Sequence, residues 1–276
     1  MNREIRLYNE VSSICSEIVT KKYSTSFSLG INTLHKSIHK YIYSIYGFVR
    51  FADEIVDTFH DLDKEKVLNK FEKDTFESIN NNFSTNPILH SFQNVANKFN
   101  IDKNHIKAFL ESMRMDLTMK KFSEEEYKNY IYGSAEVVGL MCLKVFCNDE
   151  EKYNQLEPYA ISLGSAFQKI NFLRDIKSDN DERGSVYFPG VEYDSFSIKE
   201  KIEIEADIEK DFNHALIGIK KLPSVARAGV YLSYNYYREL HNKIKLLDSE
   251  RLKRERISVS NFKKFIIFLS SYINPI

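Results

Sequence analysis

Residues 46–57 place oxygen-bearing side chains along one face of a helix that is otherwise apolar. At about 100° of rotation per residue, Tyr46, Arg50, Asp53 and Asp57 fall within a narrow sector. The residues around them are mainly Ile, Val and Phe, which seek a protein interior. The pattern therefore predicts a carboxylate stripe that lines an enclosed cavity.

Residues 168–179 repeat this pattern on a second helix. Gln168, Asn171, Asp175 and Asp179 share one face, again among apolar neighbours. Carboxylates that are crowded together away from water repel one another unless a cation lies between them. Two such stripes predict a cation site between two helices.

The donor set favours Mg²⁺ and a phosphorylated substrate. Mg²⁺ takes oxygen ligands and prefers few protein carboxylates, with water and substrate phosphate oxygens completing its shell. Arg50 and Arg174 would add permanent positive charge for phosphate oxygens, and Tyr46 a hydroxyl donor. The arrangement suits the departure of a diphosphate leaving group.

A single Asp-x-x-x-Asp pair is more typical of a solvated helix face than of a metal site. Here both pairs lie in apolar segments and both are accompanied by arginine and by amide or hydroxyl groups, which a solvated face does not require. A purely structural helical protein remains the alternative. Full solvation of Asp53 and Asp175 would support it.

The elements that carry these stripes are predicted to be helices of a single all-α domain over residues 1–276. Glycine (9) and proline (5) are scarce, and long periodic stretches run between them. Residues 180–190 are irregular and predict either an ordinary connection or a lid over the cavity. Helical periodicity covers 4–22, 32–59, 63–81, 87–98, 103–121, 124–147, 152–178, 197–221, 224–248 and 259–273.

Composition excludes several classes of function. The formal charge is zero, which argues against nucleic acid as a partner. The sequence has no GxGxxG, GxxxxGK[ST], GxSxG or HExxH motif, and His35 and His39 lie beside lysines as on a surface helix. Three cysteines without a CxxC pair suit a cytoplasmic protein. Residues 263–269 combine lysines with apolar residues, which suggests peripheral membrane contact. A last helix that packs in the core is the stronger interpretation of the same segment.

Five segments together resemble the squalene/phytoene synthase family, the head-to-head prenyl synthases. Residues 23–27 resemble an early substrate-contact segment, 46–57 the first aspartate-rich motif, and 130–139 a central kinked-helix motif. Residues 166–179 are similar to the second acidic motif, and 180–190 continue the match. The resemblance covers nearly the whole chain and implies an isoprenoid-synthase-type helical bundle around a central cavity.

Carried over by position, the resemblance implies a role for each matching residue. The implied ligands of two or three diphosphate-bridged Mg²⁺ ions are Asp53, Asp57, Asn171, Asp175 and Asp179. The implied catalytic residues are Tyr46, Arg50, Tyr132 and Arg174. The implied contacts to the prenyl diphosphate substrates are Ser24, Ser26, Phe27, Gln168, Tyr237 and Arg256.

The resemblance also implies the reaction: two prenyl diphosphates join to a cyclopropylcarbinyl diphosphate, which ionises and rearranges. Residues 183–189 look closest to the branch of the family that makes phytoene from two geranylgeranyl diphosphates in carotenoid biosynthesis. The resemblance to this branch implies a reaction without NADPH. Alternatives are squalene or dehydrosqualene synthesis from farnesyl diphosphate, a terpene cyclase, and a non-catalytic assembly or binding protein. Two departures from the family pattern are Glu54, which lies off the stripe, and Tyr23, which affects the expected diphosphate contacts. The oligomeric state is not predicted.

Overall fold

The computed structural model describes residues 3–147, 149–254, 256–260, 264 and 267, excluding the side chains of Ser26, Glu182 and Arg183. Over these residues it is helical with no strand, which confirms the all-α class. The predicted last helix, 259–273, and the suggested membrane segment, 263–269, fall mostly outside the described residues. The helices are α1 (Arg3–Tyr23), α2 (Thr25–Asn32), α3 (Lys36–Asp57), α4 (Lys64–Asn81), α5 (Pro87–Lys98), α6 (Lys103–Thr118), α7 (Glu124–Ile131), α8 (Val137–Phe146), α9 (Glu150–Arg183), α10 (Ile198–Lys221), α11 (Ser224–Lys245) and α12 (Ser249–Leu252).

Local sequence explains where most helices begin and end. Asn86 caps α5, with Pro87 at its first position, and Ser123 and Ser197 form capping boxes at the starts of α7 and α10. The 34-residue α9 ends at Gly184, whose φ of 64° lies in the left-handed region that glycine adopts without strain. These signals account for the agreement of most predicted bounds to within a few residues.

Two features were not predicted from periodicity. Residues 25–31, which lie outside the predicted helices, belong to the short helix α2, which Ser24 caps, and α3 begins at Lys36 rather than at residue 32. The predicted helix 124–147 contains a π-helical turn at Tyr132–Glu136 between α7 and α8. Such turns shift the helix register by one residue and occur often at functional sites.

The long helix α9 contacts α8, α10 and α11, while α3 packs against α1, α5 and α8. The apolar faces of these helices form one hydrophobic cluster that also surrounds a central cavity. The bundle around a central cavity is therefore confirmed. The single domain over 1–276 stays a prediction.

The segment after α9 packs against the helical bundle. Tyr187 and Phe188 are buried, and the Tyr187 ring stacks on Phe172 at 4.2 Å. The Tyr187 hydroxyl donates to Asp116 at 3.0 Å. These contacts tie the segment to α6 and α9, and none of its described side chains lines the cavity.

Candidate active site

A cavity of about 320 Å³ runs between α3 and α9. Its walls come from α2, α3, the π-helical turn, α8, α9, α10 and α11, and they are mostly Leu, Ile, Val, Phe, Ala and Gly. Along α9 the lining extends from Leu156 at the deep end to Asn171 at the other end. An apolar cavity of this size suits a hydrocarbon chain.

One group of polar lining residues lies at the Asn171 end. Tyr46 on α3 and Gln168 and Asn171 on α9 line this end, together with Tyr237 on α11. Beyond them, α3 continues to Asp53 and Asp57, and α9 continues to Asp175 and Asp179. Both predicted stripes therefore lead to the same end of the cavity, which we call the polar end.

In the first stripe, Arg50 is held between two carboxylates. Its guanidinium donates to Asp53 at 2.6 Å and is paired with Glu54, which is buried. Thr58 donates to the other oxygen of Glu54 at 2.8 Å, and the Tyr23 ring lies 4.5 Å below the guanidinium carbon. Glu54 is off the stripe, as predicted, and fixes Arg50.

In the second stripe, Asp175 accepts from two arginines. Arg174 Nε donates to it at 3.0 Å and Arg256 Nε at 2.7 Å. Tyr237 donates its hydroxyl hydrogen to Asn171 Oδ1 at 3.2 Å and stacks on Phe167 at 3.9 Å. Tyr237 and Arg256, for which the family resemblance implies substrate contacts, thus reach this stripe.

The polar groups of the site are partly withdrawn from water. Side-chain exposure is 34% for Asp53 and 18% for Asp175, so neither is fully solvated. Burial raises the pKa of the Tyr46 phenol, against the opposing effects of Ser24 and Arg50, and burial also raises that of Tyr237. Burial alone would lower the pKa of Arg174, but the hydrogen bond with Asp175 raises it overall. At neutral pH the two tyrosines are hydroxyl donors and Arg174 is charged.

The early substrate-contact segment lies beside Tyr46. Ser24 caps α2 by accepting from the Phe27 amide at 3.2 Å, and its hydroxyl interacts with Tyr46. The Phe27 ring stacks on Tyr46 at 4.6 Å and lines the cavity. The side chain of Ser26 lies outside the described part of the chain.

The structure does not bring Tyr132 to these residues. Tyr132 starts the π-helical turn with 37% exposure, and the cavity lining from that turn consists of Ser134 and Ala135. The charges that act on its phenol are those of Glu157, Asp102 and Glu136, which lie outside the polar end. No role for Tyr132 in the candidate site follows from this position.

Several lining residues were not predicted. Ser134, Cys142, Tyr159 and Ser233 reach the cavity from the π-helical turn, α8, α9 and α11. Their segments show ordinary helical periodicity. This periodicity is the same for a helix face that lines a cavity and for one that packs in the core. The close helix approach that the wall needs is signalled by glycine, as at Gly164, where a Cβ atom would lie 2.8 Å from Glu136 Cα.

The donor set at the polar end fits Mg²⁺ by its chemistry. Asp53 and Asp175 are oxygen donors held in ion pairs with arginine. Among the residues that the structure describes, no three acidic, histidine or cysteine side chains converge to hold an ion. Mg²⁺ is usually held by one or two carboxylates together with substrate phosphates, so the ion would not need three converging side chains here.

Comparisons with known proteins agree with this geometry. Phytoene synthase 1 of Solanum lycopersicum is 27% identical, with 96% of this chain and 68% of that protein covered. The 4,4'-diapophytoene synthase of Staphylococcus haemolyticus (strain JCSC1435) is 26% identical, with 70% of this chain and 67% of that protein covered. A dehydrosqualene synthase structure has the same fold, with a TM-score of 0.80, 21% identity and 97% of each chain covered.

No helix in the described residues has the length and apolar character needed to cross a bilayer. The model of the squalene/phytoene synthase family matches residues 20–206, more than half of the chain. The chain therefore belongs to the squalene/phytoene synthase family of prenyltransferases.

Proposed function

We propose that this protein joins two geranylgeranyl diphosphates head to head to give phytoene through a cyclopropylcarbinyl diphosphate. The observation that carries the proposal is the convergence of both acidic stripes on one end of an apolar cavity. This end offers arginine and hydroxyl donors to a diphosphate, and the remainder accepts a prenyl chain.

The length of the cavity supports the longer substrate. Leu156 and Asn171 are 15 residues apart on α9, which corresponds to about 22 Å at about 1.5 Å per residue. With carbon–carbon bonds of about 1.5 Å at angles of about 111°, an extended geranylgeranyl chain reaches about 19 Å and a farnesyl chain about 14 Å. The deep end would therefore stay unfilled by a farnesyl chain.

The first step needs positive charge where the diphosphate leaves. Arg50 and Arg174 would bind its oxygens, and Tyr46 would donate a hydrogen bond as negative charge develops. We propose that Asp53, Asp57, Asn171, Asp175 and Asp179 hold Mg²⁺, which when bound supplies further neutralisation of the leaving group. Electrostatic stabilisation of this kind is often the largest contribution to catalysis.

The apolar walls protect the carbocation that remains. The double bond of the second substrate attacks the first cation, and loss of a proton from the resulting cation closes the cyclopropane ring. The cyclopropylcarbinyl diphosphate later ionises at the same polar end. Phe27, stacked on Tyr46, presents a ring close to this position. Aromatic faces attract cations, and exclusion of water prevents early quenching. After rearrangement of this second cation, loss of a second proton completes the reaction without a reductant.

Synthesis of squalene or dehydrosqualene from farnesyl diphosphate is the second candidate. The similarity to a 4,4'-diapophytoene synthase favours it, because the matched segments are about as similar to that enzyme as to a plant phytoene synthase. A non-catalytic protein of the same fold is less well supported, since the carboxylates of both stripes are retained.

The decisive experiment is product identification with the purified protein. It is incubated with farnesyl or geranylgeranyl diphosphate and Mg²⁺, with and without NADPH, and the hydrocarbons are separated by chromatography and mass spectrometry. Phytoene formed without NADPH is the expected result. Squalene that forms only with NADPH, or turnover of farnesyl diphosphate alone, would overturn the phytoene assignment.

A further inference from the structure

The wall at the deep end of the cavity contains one aromatic ring that lies between the cavity and the protein surface. Tyr159 lines the cavity on α9, one turn from Leu156. Its neighbours at this depth, Leu156 and Leu222, are almost fully buried. Tyr159 instead contacts two exposed residues of α10, with its ring centroid 4.7 Å from that of His214 and 5.3 Å from Lys221 Nζ.

A glycine on α10 fixes the position of this ring. A Cβ atom on Gly218 would lie 2.2 Å from Tyr159 Cβ and 2.6 Å from its Cγ, far inside van der Waals contact. The absence of a side chain at Gly218 therefore lets α10 approach α9 at the base of the tyrosine side chain. Both residues line the cavity, so this close approach forms part of its wall.

The outer side of the ring is also supported. His214 Nδ1 lies 2.7 Å from Ser162 Oγ, and Ser162 stands less than one turn after Tyr159 on α9. This hydrogen bond joins α9 to α10 across the ring. Tyr159 is thus packed between Gly218 and His214, and its removal would open the deep end toward the gap between the two helices.

We propose that Tyr159 is a specificity-determining residue that limits the length of the prenyl chain. The inference rests on the proposed function only in that a prenyl chain fills the cavity from the polar end. The ring and the Gly218 backbone close the wall where the chain's last isoprene unit ends, so a longer chain would collide with Tyr159. A smaller side chain would leave room for another unit.

The test compares Tyr159→Ala with Tyr159→Phe, which keeps the ring, and with Tyr231→Ala, a partly buried tyrosine outside the lining. Values of kcat/KM are measured with farnesyl, geranylgeranyl and geranylfarnesyl diphosphates and Mg²⁺. On the proposed function, Tyr159→Ala should raise the kcat/KM ratio of geranylfarnesyl to geranylgeranyl diphosphate by at least about tenfold, the scale of apolar pocket discrimination. Tyr159→Phe and Tyr231→Ala should leave the ratios within about twofold.

A parallel loss with all three substrates, or unchanged ratios, would overturn the inference. Tyr159→Leu, which keeps apolar contact with Gly218, should shift the ratios in the same direction if the alanine variant unfolds. The proposed function fails separately: a wild-type protein that prefers farnesyl diphosphate contradicts phytoene synthesis, yet its Tyr159→Ala variant should still move toward geranylgeranyl diphosphate.

Discussion

Arg256 donates its Nε hydrogen to Asp175 at 2.7 Å, across 81 residues of sequence. The Arg256 side chain is 66% exposed, whereas that of Asp175 is 18% exposed. A second arginine, Arg174, holds the same carboxylate from within α9. On the proposed function, cations that bind Asp175 would release both guanidinium groups to phosphate oxygens where the leaving group departs.

The first prediction concerns the acidic residues of the polar end. Asp53→Ala and Asp175→Ala should each lower kcat by at least about 100-fold, the effect typical of losing one transition-state stabiliser. The matched control is Asp181→Ala, because Asp181 lies on α9 but pairs with Lys177 at the surface. Turnover is measured at saturating Mg²⁺, with circular dichroism to show intact helices. Near-normal turnover of both variants would contradict the assignment.

The second prediction assigns Glu54 a positioning role through Arg50. Glu54→Gln keeps the shape but removes the charge that holds the guanidinium. We expect kcat/KM to fall by about tenfold, mainly through a higher KM for the diphosphate substrate, while the Mg²⁺ concentration for half-maximal activity stays unchanged. An altered Mg²⁺ dependence would instead make Glu54 a metal ligand.

The third prediction concerns packing at the π-helical turn. At Gly133 a Cβ atom would lie 2.4 Å from Ala108 O, so Gly133→Ala should destabilise the fold by about 1–3 kcal/mol. Gly139 is the matched control, since its Cβ atom would lie 3.5 Å from Ala160 O. Gly139→Ala should be neutral or stabilising by up to about 1 kcal/mol. Chemical denaturation measures both, and equal effects would contradict this account.

The positions of the stripes were predictable because a helix has a fixed rotation per residue. Asp53 and Asp175 needed only the spacing within one segment, and the apolar neighbours indicated that both helices are packed. That the stripes meet at one end of a cavity depends on how α3 and α9 pack. Repulsion between the carboxylates predicted that the two stripes share a cation site, but not at which end of the cavity they meet.

Long-range partners and local backbone changes were less predictable. Glu54 follows the i, i+4 spacing from Arg50 that favours ion pairs, so its contact has a sequence signal. The contact of Arg256 with Asp175 has no such signal, since it depends on the path of the chain after α12. Tyr132 lies in a matching motif, but the π-helical turn that begins there presents Ser134 and Ala135 to the cavity instead.

The last prediction follows from a half-buried carboxyl group in the π-helical turn. Burial raises the pKa of Glu136 from 4.5 to about 7, with Asp211 adding to the rise and Lys169 opposing it. Between these two pH values the folded protein binds more protons at this site than the unfolded chain does. Stability therefore falls as pH rises through this window, because the carboxylate must form in a poorly solvated place.

Glu136→Gln removes the titration and imitates the protonated form. Its free energy of unfolding, relative to wild type, should rise by about 2–3 kcal/mol between pH 4.5 and pH 8, since one pKa unit corresponds to about 1.4 kcal/mol. The control is Glu203→Gln, because the Glu203 side chain is 66% exposed on α10. Denaturant unfolding at several pH values gives the free energy of unfolding of each protein. Subtracting the wild-type value cancels the contributions of the other titrating groups. A difference that stays constant with pH would contradict the raised pKa of Glu136 in the folded protein.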